Sequence, residues 1–139
     1  KFNYVNQKTE DAVKAYISSM KPDPSPYLNE KEELTDKAKR GKALFESIET
    51  GCIKCHSGPY MTDQKLHNVG TKGKYDKHEK FDTPTLIEVW RTAPYLHDGS
   101  VTKIEDLFSP EKGMKHKLGN TSHLSKRDLE ALVEYVKSL

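Results

Sequence analysis

Cysteine is scarce in this sequence: there are two in 139 residues, beside one tryptophan and three methionines. Two cysteines exclude the multi-bridge framework of small disulfide-stapled domains, and by themselves fall short of the four ligands of a structural zinc site. A surplus of charge is also missing. Lys and Arg number 23 against 21 Asp and Glu, a net charge of +2, too small to argue for nucleic acid or acidic partners. No apolar run approaches the roughly 18 residues of a membrane-crossing helix. No alternating strand pattern persists beyond a few residues, so the fold is expected to be mainly α. Hydrophobic residues make up only 34%, against 32% charged. That is a thin core for the single domain this length implies.

What is there is concentrated. Both cysteines lie in "GCIKCHSG", residues 51–58, and four readings compete for them. A disulfide between Cys52 and Cys55 would close a very short loop and gain little unfolded-state entropy. Zinc would need a second Cys/His pair with the right spacing, which is missing. A thioredoxin-type motif belongs at a helix start in a βαβ pattern, and none is visible. The remaining reading is C-x-x-C-H, the attachment motif of one covalent haem c. Cys52 and Cys55 would bind the vinyl groups as thioethers from one helical turn, and His56 would reach the iron. A buried haem would supply the apolar surface that the sequence lacks. Such attachment takes place outside the cytoplasm, so the expected location is periplasmic or cell-surface. The chain begins at Lys1 instead of Met, which reads as a processed or excised product.

Helical periodicity marks three segments. In residues 9–20, Ala12, Val13, Tyr16, Ile17 and Met20 share a face and Thr9 is placed to cap the start. "KPDPSPYLN" then ends the helix and forms a stiff linker. Residues 35–47 form a second helix with Ala38, Leu44 and Phe45 inward. Residues 125–139 are the clearest, with Leu129, Leu132, Val133 and Val136 in register and a Ser125/Asp128 capping box. The first and last helices resemble each other, so residues 1–32 read as the closing helix of a preceding domain plus a Pro-rich linker, and 33–139 as a mono-haem cytochrome c domain. Between 57 and 120, Gly and Pro punctuate long loops, with an apolar helical core at Leu86 to Trp90 and a short helix at "KIEDLFSP". A helix before the haem motif crossing one at the C-terminus is the plan of a class I cytochrome c, and Gly41 is expected to let them approach closely.

The strings "RGKALFES", "GCIKCHSGPYMTDQKLHNVGT", "FDTPTLIEVWRTAPYLHDGSVTKIEDLF" and "LSKRDLEALVEYVKSL" resemble the C-terminal cytochrome domain of the bacterial di-haem cytochrome c peroxidase family, which includes the methylamine-utilisation di-haem enzymes. The likeness covers roughly residues 33–139. It implies an electron-transfer domain working with a redox partner protein or an adjoining domain. The family's full enzymes carry two haems, one taking electrons and one reacting with peroxide. This sequence has one haem motif and matches the electron-transfer half. The alternatives are part of a di-haem peroxidase-type enzyme, a haem peroxidase in its own right, or a sensor of a small gas.

The resemblance also implies a distal methionine a short way after "HDGS", which is Met114, although the spacing here is a few residues longer. His116 is the alternative distal ligand, and with Glu111 it would be the nearest acid/base group in an enzyme. A thioether raises haem potential and a second imidazole lowers it. Pro59, Tyr60 and the "TPT" at 83–85 are expected around the haem, and Arg91 is a candidate partner for a propionate. Trp90 and Tyr95 read as core. His67 and His97 read as hydrogen-bonding loop residues, and His78 and His123 as exposed.

Overall fold

The computed structural model describes residues 6–109 and 116–139. The described residues hold three α-helices, α1 (Gln7–Ser19), α2 (Asp36–Phe45) and α3 (Lys126–Lys137), and a two-stranded antiparallel sheet of β1 (Leu66–His67) and β2 (Phe81–Asp82). Leu66 faces Asp82 and His67 faces Phe81. Three short 3-10 turns, Cys52–Lys54, Val89–Arg91 and Ile104–Phe108, punctuate the connecting loops.

α2 and α3 form the frame. Thr35 caps α2 through a bond from the Ala38 N–H, and Ser125 caps α3 through a bond from the Asp128 N–H, each satisfying a donor that helix geometry leaves orphaned. Ser125 and Asp128 also bond side chain to side chain at 2.6 Å, as the capping pattern predicts. The helices meet at Gly41, where a Cβ would lie 1.9 Å from the Ala131 carbonyl oxygen. The expectation of a glycine-dependent crossing is met, because no larger residue fits there. Arg40 bridges to Asp128 at 2.6 Å, and Thr35 donates to Glu134 at 2.5 Å. Beneath these surface ties, Phe45 packs edge-on against Tyr135 with ring centroids 5.3 Å apart. Leu132 and Ala131 are fully buried and Val89, Ile104 and Val136 nearly so. Burying a side chain such as Leu132 is worth roughly 1.5–3 kcal/mol, more than any single exposed ion pair on the same helices.

Two local expectations need correcting. α1 starts earlier than its periodicity suggested, with Asn6 as the cap accepting the Thr9 N–H at 3.0 Å, because Asn6 offers a side-chain oxygen one turn before the apolar stripe. The stretch at Leu86 to Trp90 is a turn followed by 3-10 structure, not an α-helical core. Glu88 sits at φ 58, which breaks helical continuation. It is held there by the Leu139 carbonyl, which its N–H reaches at 2.9 Å.

α1 buries none of its residues, and Val13, Tyr16, Ile17 and Met20 are at least half exposed. The following linker does dock: Ser25 is buried and donates to the Lys137 carbonyl at 2.6 Å, and the Asp23 N–H reaches Glu88 at 2.7 Å.

Candidate haem-binding site

The loop between α2 and β1 delivers the cysteines. Thr50 is buried, and its hydroxyl donates to the Leu44 carbonyl at 2.5 Å, closing the end of α2. Gly51 at φ 72 then turns the chain, a conformation glycine adopts without steric cost. Cys52 to Lys54 follow as a 3-10 turn, and the Cys55 and His56 N–H groups both point back to the Cys52 carbonyl at 3.3 and 3.0 Å. Cys52 and His56 line a cavity beside this turn, while the Cys55 thiol lies with Asp63 and His67 and is not in its wall. Both cysteines are free. Opposite, Gly119 stands where a Cβ would lie 2.8 Å from the Thr50 carbonyl oxygen and 3.4 Å from the Cys52 sulfur, so the backbone itself walls the thiol.

Burial pushes the Cys52 thiol up. It also pushes up Cys55, with a further push from Asp63. A dithiol redox motif needs the opposite, a stabilised thiolate. Cys55, Asp63 and His67 bring one ligand atom each to within 4.8 Å of one another, but His67 Nε2 is already 2.7 Å from the Asp63 carboxylate. With three donors, a high thiol pKa at Cys55 and two donors bonded to each other, this is a poor metal cage.

His56 is half-buried, and burial lowers its pKa, the Met61 carbonyl partly opposing. Its Nδ1 lies 3.1 Å from that carbonyl and the Pro84 carbonyl also bonds the ring; in the tautomer that donates from Nδ1 to Met61, Nε2 keeps its lone pair. A backbone acceptor that fixes the tautomer is what a metal-ligating imidazole requires. The ring faces a cavity of about 480 Å³, within the 300–1,000 Å³ typical of ligand sites. Its wall is mainly apolar, with Phe45, Cys52, Val69, Phe81, Pro84, Leu86, Ile87, Val89, Ile104, Leu107, Phe108, Leu118 and Val136, and carries the polar Thr71, Asp82, Thr85, Thr92, Tyr95 and His97. The donor set and the apolar wall fit a covalently held porphyrin.

Of the expected pocket residues, Pro84 and Thr85 stand in the wall and Thr83 is buried just behind it. Pro59 and Tyr60 are exposed and do not line the cavity. Tyr60 instead accepts the Thr85 hydroxyl through its carbonyl at 2.6 Å. Arg91 is not in the wall either: its guanidinium holds Asp23 at 3.0 Å and Glu88 at 2.5 Å, so an inter-segment clasp takes the charge assigned to a propionate. Met114 and Glu111 lie outside the described residues.

His116 lies beside two wall residues, Leu107 and Leu118. Among the described residues its Nε2 is buried without a close hydrogen-bond partner, its Nδ1 has a long 3.4 Å contact from the Leu118 N–H, and the Leu107 backbone lies against the ring, which itself does not line the cavity. Burial lowers its pKa. Leaving a buried ring nitrogen unsatisfied costs about 1–3 kcal/mol, and a metal bond would remove that cost. Trp90 Nε1 is also buried without a partner among the described residues. Tyr95 joins the core periphery and donates to the Val89 carbonyl at 3.0 Å.

Sequence reasoning missed the wall contributed by Val69, Thr71, Phe81 and Leu118, and gave His97 only a loop role. His97 does bond Asp76, at 2.8 Å, but it also stacks on Phe81 with centroids 3.6 Å apart. The HDGS string carried that signal without saying which wall it served.

Residues 81–116 match the family model described as RoxA-like, cytochrome c-like. Hydrazine synthase subunit gamma of Kuenenia stuttgartiensis is 30% identical over 93% of this chain and 48% of its own length. Cytochrome-c peroxidase IdrP1 of Denitromonas iodatirespirans is 31% identical over 76% of this chain and 41% of its own. A solved chain of Kuenenia stuttgartiensis hydrazine synthase superposes with a TM-score of 0.75 at 27% identity, covering 96% of this chain and 56% of that one. The chain thus spans about half the length of these proteins. A cytochrome c-like fold, a free C-x-x-C-H turn beside an apolar cavity, and these similarities agree: this is a cytochrome c-like domain, related to hydrazine synthase subunit gamma and to bacterial cytochrome-c peroxidases.

Proposed function

We propose that residues 33–139 of this chain form an electron-transfer domain holding one covalent haem c, and that it works as part of a larger redox protein outside the cytoplasm. The observation that carries the reading is His56, held by the Met61 carbonyl, in the wall of a mainly apolar cavity that also presents Cys52. When bound, the haem supplies one-electron Fe(III)/Fe(II) exchange. Cys52 and Cys55 would anchor it by adding their thiols across its vinyl groups, and His56 would be the proximal ligand.

The far side separates a carrier from an enzyme. The orphaned Nε2 of His116 supports His116 as distal ligand ahead of Met114, which reverses the preference drawn from the family pattern. A second protein ligand leaves no open position for peroxide or a gas, and so favours electron transfer. No described helix is long and apolar enough to cross a membrane. The exposed stripe of α1, Val13 to Met20, supports residues 1–32 as the end of a preceding domain and its linker.

Absorption spectroscopy of the oxidised and reduced protein, with and without cyanide, is the direct test, after acid–acetone extraction and mass measurement. A mass equal to the bare chain overturns covalent attachment. High-spin oxidised protein that reacts with peroxide overturns the carrier reading in favour of a peroxidase.

A further inference from the structure

The hairpin loop 68–80 starts and ends in the wall of the haem cavity. It leaves β1 through Val69 and Thr71 and returns at Phe81 and Asp82, and all four line the cavity. A protein resting on this loop is therefore beside the haem site. The loop is charged in one sense. Lys72, Lys74, Lys77 and Lys80 stand against Asp76 and Glu79, a net of +2, equal to the net charge of the entire chain.

Both of its carboxylates are already engaged. Asp76 is 2.8 Å from His97 Nε2 and accepts the Gly73 N–H at 2.7 Å. Glu79 pairs with Lys72 at 3.1 Å and takes a weaker 3.4 Å bond from Asn68. Lys77 and Lys80 have no ion-pair partner among the described residues, and Lys74 lies 5.4 Å over the ring of Tyr75, which is 88% exposed. Two more lysines extend the patch. Lys65 directly precedes β1, and the Lys117 N–H bonds the Val69 carbonyl at 2.7 Å. Of the nearby carboxylates among the described residues, Asp63 is taken up by His67, and Asp82 stands on the same edge in β2. The Asp76–His97 bond and the stacking of His97 on Phe81 tie the loop to the cavity wall, so the charges stand on an anchored platform.

We propose that loop 68–80, with Lys65 and Lys117, is the docking face for an acidic redox protein that exchanges electrons with the haem. The proposal rests on the electron-transfer reading above and names the chemistry of the partner. An exposed patch of one sign steers a complementary partner and orients it, with a strong dependence on salt. A one-electron step balances as the donor losing the electron that Fe(III) gains.

The test uses the haem-loaded protein and reduced flavodoxin as the acidic donor, with a lysine-rich cytochrome c as the basic control. The rate with flavodoxin should fall about tenfold between low and physiological salt, and the control should show no such fall. The variant K74E/K77E/K80E should lose about tenfold in rate at low salt, with its haem spectrum and potential unchanged. NMR shifts on adding flavodoxin should map to residues 68–80. Electron transfer that is insensitive to salt and to the variant, or shifts that map elsewhere, overturns the docking face. Shifts on the loop with no electron transfer leave docking standing and overturn the carrier reading instead.

Discussion

The Nδ1 of His56 lies 3.1 Å from the Met61 carbonyl oxygen, five residues on in the same turn. Because the acceptor is backbone, no side-chain substitution removes it directly, and the imidazole tautomer is set by the fold itself. Replacing His56 with glycine should abolish the low-spin haem spectrum while Cys52 and Cys55 retain the haem covalently. Adding free imidazole should restore most of the spectrum, because the ring then returns to a cavity of its own shape. A His56→Gly protein with a wild-type spectrum would show that another residue ligates the iron.

The frame around that site is tested at Gly41. A Cβ there would lie 1.9 Å from the Ala131 carbonyl oxygen and 2.8 Å from the Tyr135 Cβ, so backbone must move and no side-chain rotation relieves it. Overpacking a tight core commonly costs about 1–3 kcal/mol, and the Gly41→Val loss should reach at least the top of that range. Ala43→Val, at an exposed position of the same helix, should cost about 0.5 kcal/mol. Denaturant melts of the two holoproteins compare them, and equal midpoints would mean that α2 and α3 do not meet at Gly41.

This crossing was legible from sequence because helical period, capping residues and a glycine on the inner face all act locally. The C-x-x-C-H motif is likewise local, because its five residues are contiguous and fold as one turn. The cavity wall was less legible. Val69, Phe81 and Leu118 reach it through a two-residue strand pair and a backbone bond between Lys117 and Val69, contacts that leave no periodic trace. Arg91 illustrates the limit on charge. Its residue type suits a propionate, yet long-range packing brings Asp23 and Glu88 to it. The helix expected at Leu86 to Trp90 failed for a related reason, since the Leu139 carbonyl captures the Glu88 N–H.

Acid should loosen the loop held by Asp63. Partial burial raises this carboxyl, but bonds from the His67 and Thr83 side chains and the Lys65 N–H outweigh it and hold the pKa at about 2, below the ordinary 3.8. A lowered folded-state value means the carboxylate stabilises the native protein fully above its ordinary pKa. That contribution declines as pH falls from about 4 and is gone below about 2. The Asp63→Asn protein should therefore show a shallower loss of stability between about pH 4 and pH 2 than wild type, as urea midpoints across that window would reveal. Parallel curves would mean that the Asp63–His67 bond does not contribute to folding.

The distal ligand gives the sharpest contrast. His116 buries an Nε2 that has no close hydrogen-bond partner among the described residues, and burial lowers its pKa, which favours the neutral ring. If it ligates, the oxidised protein is low-spin, and His116→Ala should open the iron to cyanide and raise the reduction potential, because a second imidazole favours the lower-potential state. Met114→Ala should then leave spectrum and potential unchanged. If thioether ligates instead, wild type shows the weak near-infrared band of Fe(III)–sulfur coordination. Met114→Ala abolishes that band and lowers the potential, and His116→Ala is silent. The direction of the potential change separates the two ligands even where both variants bind cyanide, since imidazole and thioether displace the Fe(III)/Fe(II) balance in opposite senses.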